Sequence, residues 1–425
     1  MSPGSVLRRS LSGLVLVALV YPTTGRTDDS LIDYHEFYGT FSVESRWFPD
    51  SPAHAGQRDT DASFVAEPSL YLETADGTSF TLETLLRYDN TDAERNLADL
   101  REAYLLLLGL IGEDEWELRL GYDHVFWGVA ESRHLVDIVN QTDLVANPNE
   151  EVKLGQPMAH LTLSGEWGVA ELFALPWHRS RTYPGRHGRL RGAFVVDNGR
   201  ERYESAAAER HLDLAARYSQ SFGPFDIGVS VFDGTSREPY LEPVLECGPV
   251  PDPALCRVFL APLYEQIRQF GLDLQMTTEG WLLKLEAIRR TGASNLFGRK
   301  EDFTAFVAGG EYTFYSVLES DIDVGLLAEW NRDSRLLRAS NVFQNDVFLG
   351  SRLAFNDIEG TDLFFGVLAD LDTGTRSFNV QMNRRLDDSL SLHLEGSLLE
   401  NVGEDDPVHA SRRDSFISVN LTYGF

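Results

Sequence analysis

The sequence predicts an all-β protein, a transmembrane antiparallel β-barrel of about 18 strands with 16 as the alternative, short turns at one end and long loops at the other. Stretches of alternating apolar and polar residues recur along the whole chain, and the connections between them alternate between tight and long. After the N-terminus, no segment approaches the ~20 consecutive apolar residues that a membrane helix needs.

The N-terminus stands apart from this pattern. Arg8 and Arg9 precede an apolar run from Leu11 to Val20, Pro22 ends it, and Thr23 and Gly25 sit at the −3 and −1 positions of a cleavage site. A basic flank, a short apolar run and a small-residue exit make a secretory signal peptide, where a buried core helix would explain only the apolar run. Residues 1–25 are therefore expected to direct export, and residues 26–425 to form the barrel. An exported chain without a membrane helix is either a soluble periplasmic protein or a barrel, because only helices and closed barrels satisfy the backbone in lipid. The mean hydropathy of −0.22 argues against a helical membrane protein. It is compatible with a barrel, whose strands face lipid on every second residue only.

The last strand shows the alternation best. Ile417, Val419, Leu421, Tyr423 and Phe425 share one face, and Ser418, Asn420, Thr422 and Gly424 the other. The same reading gives strands near 36–48, 62–74, 78–88, 100–111, 115–127, 157–165, 167–177, 210–220 and 224–232. It continues near 264–277, 280–292, 303–315, 321–332, 344–355, 361–371, 375–385, 388–400 and 412–425. Even-numbered strands are followed by tight turns such as Ala75-Asp76-Gly77, Gly112-Glu113-Asp114 and Asp387-Asp388. Odd-numbered ones are followed by the long connections 49–61, 89–99, 128–156, 178–209, 233–263, 293–302, 333–343 and 401–411, with 372–374 as a short exception. That asymmetry belongs to outer-membrane barrels, with short turns in the periplasm and long loops outside. A soluble β-sandwich does not require it.

All seven tryptophans (Trp47, Trp116, Trp127, Trp167, Trp177, Trp281 and Trp330) fall near expected strand ends, where a membrane interface holds indole rings. Two points conflict with that placement. Trp116 and Trp127 are an odd number of residues apart and cannot both face lipid on one regular strand, and Glu171 would share a face with Trp167. The terminal Phe425 closes an alternating strand in the manner of the signal read by the outer-membrane assembly machinery, an expected partner.

The formal net charge is −29, from 37 Lys and Arg against 66 Asp and Glu. Such a chain repels nucleic acid, which is excluded as a partner. The acidity is spread over turns and loops, consistent with a solvated surface or with divalent-cation contact at lipopolysaccharide; outer-membrane lipid is the other expected neighbour. Cys247 and Cys256, in ECGPVPDPALC, are expected to form a disulfide in an exported chain. No metal site and no cofactor are expected, since further ligands are missing beside the cysteines and no phosphate or dinucleotide motif occurs. Without a nucleophile elbow or a zinc-protease motif either, the chain is not expected to be an enzyme.

Channel chemistry has more support. In the connection 128–156, Leu135, Ile138, Val139, Thr142 and Val145 are spaced three and four apart, which predicts a short amphipathic helix. If that connection folds into the barrel, Arg133, His134, Asp137 and Asp143 line a constriction with opposed charges; otherwise it is an external cap. The connection 178–209 is basic, with Arg179, Arg181, Arg186, Arg189 and Arg191. These guanidinium groups would guide an anionic solute, bind lipopolysaccharide phosphates or pair with acidic loops. Glu83, Arg87, Glu117, Arg119, Asp213, Arg217, Lys284, Glu286, Gln381 and Asn383 lie on polar strand faces and are the lumen-lining candidates. So many charges on inner faces imply a wet interior.

Over GYDHVFWGVAESRHLVDIVNQTDLVANPNEEVKLGQPM, Gly121 to Met158, the sequence resembles a proteobacterial outer-membrane porin-like β-barrel family, near the alginate-export type. The resemblance implies passage of a small or polymeric solute, and for the alginate-export type an arginine-rich lumen. Here the strand-borne arginines are matched by carboxylates. The expected function is an outer-membrane channel for small hydrophilic or anionic solutes. The alternatives are a barrel enzyme acting at the outer surface and a structural barrel whose lumen is blocked by its own loops.

Overall fold

A computed structural model describes residues 31–147, 152–247, 256–404 and 406–425; the expected leader, residues 1–25, lies outside the described residues. The first half of the sheet comprises β1 (Tyr34–Trp47), β2 (Thr60–Glu73), β3 (Ser79–Asp89), β4 (Leu97–Ile111), β5 (Asp114–Asp123), β6 (Gln156–Gly165) and β7 (Gly168–Leu175). The short β8 (Arg202–Tyr203) stands outside it, and β9 (Asp213–Phe222) and β10 (Phe225–Thr235) resume the wall. A side hairpin follows, of β11 (Tyr240–Glu246) and β12 (Arg257–Tyr264). The rest is β13 (Gln266–Thr278), β14 (Trp281–Thr291), β15 (Phe303–Phe314), β16 (Asp323–Asp333), β17 (Asn345–Ala354), β18 (Asp362–Asp370), β19 (Arg376–Arg385), β20 (Leu390–Glu400) and β21 (Phe416–Gly424).

Eighteen of these strands form one antiparallel sheet in which β1 pairs with both β2 and β21, so the sheet closes on itself and has no free edge. The closing seam shows how alternation becomes inside and outside. Phe41, Val43 and Trp47 stand opposite Tyr423, Leu421 and Ile417 on the outer face, while Ser42 faces Thr422 on the inner one with their hydroxyls 2.9 Å apart. Phe425 extends the seam by two backbone bonds to Gly39 and stacks on Phe41 with ring centroids 5.0 Å apart. A Cβ at Gly39 would lie 2.6 Å from the Glu67 carbonyl oxygen and 2.9 Å from the Phe425 ring, so only glycine admits this packing.

Large apolar side chains fill the outer face all round. Val43, Leu214, Leu326, Leu349 and Ile417 are each about half exposed. A contiguous apolar band of this kind is unfavourable in water and suited to lipid. Among the described residues no helix is long and apolar enough to cross a membrane.

Several expectations need correction. β5 stops at Asp123, four residues before the expected end, because the chain there turns into the barrel. Trp127 is 2 % exposed and lies in the interior, which removes the parity conflict with the outward Trp116. Trp167 sits in the turn before β7, so Glu171 is free to face inward, where it meets His160 and Arg217. The connection expected as a loop at 233–263 contains the β11–β12 hairpin, and Cys247 and Cys256 are joined at its far end. The amphipathic helix expected between 135 and 145 does not form, and the segment runs as bends and extended chain. Carboxylates and amides of the barrel wall take up its backbone groups instead of the carbonyl four residues back.

Candidate functional site

The inserted segment, residues 124–147 and 152–155, occupies the upper lumen. Its apolar side chains Trp127, Leu135, Val136, Ile138 and Val139 are buried against inward-facing residues of the wall, among them Phe173, Phe232, Ile267, Ile288 and Val307. Those wall positions break the polar pattern expected of a lumen face. They are apolar because they serve as a core rather than as a wet surface.

Two buried carboxylates hold the segment by its backbone. Glu286 on β14 accepts from the amides of Val129 and Ala130 at 2.7 and 2.9 Å and from Val136 at 3.2 Å. Glu329 on β16 accepts from the amides of Glu131 and Ser132 at 2.8 and 2.7 Å and from the Ser132 hydroxyl at 2.6 Å. Gly128, with φ of 152°, lets the chain pass close to Glu286; a Cβ there would lie 3.0 Å from the Glu286 carboxylate and from His134 Nδ1. Further along, the Arg237 guanidinium donates twice to the Val139 carbonyl at 2.9 and 2.8 Å. On the far wall Arg87 pairs with Asp143 at 3.0 Å, Arg46 donates to the Ala146 carbonyl at 2.9 Å, and Arg101 donates to the Lys153 carbonyl. The segment is thus tied to β1, β3 and β4 on one side and to β14 and β16 on the other, and none of these contacts involves β18–β21.

The four constriction candidates divide. Arg133 and His134 are half-buried, with Arg133 over the Phe343 ring at 5.1 Å and Phe126 edge-on to His134. Burial, with Lys153 and Lys284 nearby, lowers the His134 imidazole to about 4. Asp137 and Asp143 are buried and neutralised by Lys153 at 2.9 Å and by Arg87. They pin the segment and do not face an opening.

The lumen candidates divide in the same way. Arg87, Asp213 and Glu286 face inward but are covered by the segment and the loops. Asp213 accepts from Arg237 at 2.8 Å and from the Thr235 amide at 2.9 Å. Glu117 and Asn383 are exposed; Glu83, Arg119, Arg217, Lys284 and Gln381 are half-buried on the inner face. Arg217 pairs with Asp273 at 2.8 Å, and Asn383 donates to Asp362 at 3.1 Å.

The basic connection is engaged in packing the outer loops. Arg189 is 5 % exposed, pairs with Asp414 at 2.7 Å and lies over the Phe48 ring. Arg181 is buried against Gln141, and Arg191 is buried, its guanidinium held below the usual range by that burial. Arg179 makes a two-point pair with Asp99 at 3.1 and 2.8 Å and donates to the Gly155 carbonyl at 2.6 Å. It covers a groove of about 500 Å³ where β4 continues above the end of β5, lined also by Leu86, Leu100 and Trp177. Arg186 is exposed.

Sequence reasoning did not single out Arg237, Glu238, Arg290 or Arg335. Burial pushes the Glu238 carboxyl up, but Arg290, Arg133, Arg181 and Arg335 outweigh it and hold the group below the usual carboxylate range. Arg290 lies 3.4 Å from Glu238, and Arg335 pairs with Asp333 at 2.7 Å and stacks on Phe303. Arg237, Glu238 and Arg335 sit in connections without periodicity, so nothing local marked them.

No family model and no curated protein matches the chain. Among solved structures it is similar to a mutant of Rh. blastica porin, at 11% identity over 92% of this chain and 100% of that one, with a TM-score of 0.42. It is also similar to Pseudomonas putida OprB in a high-pH structure, at 10% identity over 92% of this chain and 94% of that one, with a TM-score of 0.46.

Proposed function

We propose that the protein is a porin-like channel of the outer membrane, with its long loops outside, that passes small hydrophilic solutes by diffusion. The observation that carries this reading is the position of the inserted segment. It is clamped to β1, β3 and β4 on one side and to β14, β16 and β17 on the other, and among the described residues none of these clamping contacts is made by β18–β21. A segment fixed this way narrows a lumen to an eyelet against the remaining wall. No catalytic step belongs to this reading. Phe425, closing the seam beside Gly39, is the end we propose the assembly machinery reads, and lipid with lipopolysaccharide covers the outer band.

Guidance of anions by the arginine-rich loop loses its physical cause, because Arg179, Arg181 and Arg189 already have partners. A polyuronate path of the alginate-export kind would need uncompensated lumen guanidinium groups. Arg87, Arg217, Arg237 and Arg290 are each paired with a carboxylate. Small neutral or cationic solutes fit better. Liposome swelling with sugars of graded size tests this: swelling that declines with solute size is the expected result. Absence of swelling from liposomes holding folded barrel would favour a lumen blocked by its loops.

A further inference from the structure

We propose that Glu102, Asp123 and His124, with His160 beside Asp123, form a binding site for a divalent transition metal of the zinc type in the lumen wall. This goes beyond the channel reading, does not depend on it, and departs from the sequence expectation of no metal site. The groups come together because Glu102 faces inward on β4, Asp123 ends β5, and the chain turning into the lumen carries His124 beside them. Ligand atoms of Glu102, Asp123 and His124 lie within 4.8 Å of one another, and His124 Nδ1 is 3.1 Å from the nearer Glu102 oxygen.

His160, opposite Arg119 on β6, supplies the independent indication. It is 5 % exposed and lies flat on Phe173. Its Nε2 is hydrogen-bonded to the Thr162 hydroxyl at 3.2 Å and stands 3.2 Å from Glu171. Its Nδ1 is buried and makes no hydrogen bond, yet it points at the Asp123 carboxylate 3.7 Å away. In the tautomer whose Nε2–H donates to the Thr162 hydroxyl, the Nδ1 lone pair and an Asp123 oxygen face each other across a gap that suits a cation. A ligating histidine is usually oriented by a hydrogen bond at its other nitrogen. The surroundings agree in sign, since Glu83 stands directly opposite Glu102 on the neighbouring strand, a like-charge pair that a cation would offset.

The donor set selects the class of ion. An imidazole with two carboxylates, and a second imidazole beside Asp123, suits Zn2+ and its neighbours, whereas Ca2+ and Mg2+ prefer oxygen alone. The Glu102–His124 separation of 3.1 Å is close to the ligand–ligand edge of ~3.3 Å in a tetrahedron with bonds of ~2.0–2.1 Å, and the other separations in the set lie within 4.8 Å. Arg119, 3.4 Å from Asp123 and over the Tyr104 ring at 5.2 Å, is the competing cation, its side chain 33% exposed.

The test is titration calorimetry of the tag-free barrel in detergent at pH 7.5, with ZnCl2 and CaCl2, for the native chain and for H124A and E102Q. The expected result is one Zn2+ per barrel, with affinity lower by at least about tenfold in both variants and folding unchanged by circular dichroism. His124 is 42% exposed at its side chain, so its truncation leaves the fold intact. No zinc uptake by the native chain, unaltered zinc affinity in both variants, or Ca2+ bound as tightly as Zn2+ would each overturn the proposal. Binding is read without current, so its failure leaves the channel reading standing, and a silent channel leaves the metal site standing.

Discussion

Glu286 and Glu329 each accept three hydrogen bonds from a stretch of chain that has no helix or strand of its own to satisfy it. Bonds to a charged acceptor contribute ~1.5–3 kcal/mol each, and an amide in place of the carboxylate turns an acceptor toward donors. E286Q and E329Q should therefore loosen the segment by about 2–4 kcal/mol without opening the barrel. Limited proteolysis within 124–147 should accelerate while the sheet signal in circular dichroism holds. His134 adds a pH dependence. Its imidazole is held near 4, against an ordinary 6.5, so the folded chain resists a proton that the unfolded chain takes. Its contribution is complete above pH 6.5 and is lost as pH falls toward 4, so proteolysis of the segment should rise over that window. H134Q should remove that part of the acid response, and an identical pH profile in H134Q would count against it. At this scale the sequence was half legible. Period-two alternation put Glu83, Glu117 and Glu286 on inner faces, but it carries no information about what covers them, so Glu286 looked like pore lining and is a clamp.

Among the elements, strands were readable and the inserted segment was not. Each strand is specified locally by alternation against lipid, which is why the closing seam of β1 and β21 follows the pattern of Phe41, Val43 and Val419. The spacing of Leu135, Ile138 and Val139 mimics a helix because both a helix and an irregular chain wedged between walls need apolar groups at intervals. Where tertiary partners take the backbone groups, periodicity misleads. The β11–β12 hairpin escaped notice because Pro243 and Pro262 interrupt its strands. Its disulfide closes a short loop and should tighten only the hairpin, by about 2–3 kcal/mol. Cys247→Ser with Cys256→Ser should speed proteolysis of that hairpin and leave the thermal transition of the barrel in place. A large fall in barrel stability would mean that the hairpin holds the wall together.

At the scale of the molecule, closure was legible from the alternation of short and long connections, since strands with turns at one end and loops at the other must form a tube with both ends distinct. The net charge of −29 did not reveal where the charge acts. In the structure the buried guanidinium groups are paired around the segment, while Glu83, Glu102 and Glu117 stand half-buried or exposed on the lumen wall. A wall with that balance should favour cations, by a reversal potential of the corresponding sign under a KCl gradient. E83Q with E117Q should reduce the selectivity; unchanged anion preference in both chains would contradict it. The central claim is that the segment is an eyelet in an open barrel. It is tested most directly by single-channel recording of the native chain beside E286Q/E329Q. The native barrel should give discrete steps, and the variant steps at least about twofold larger and noisier. Silence from both, with the sheet intact, would contradict it.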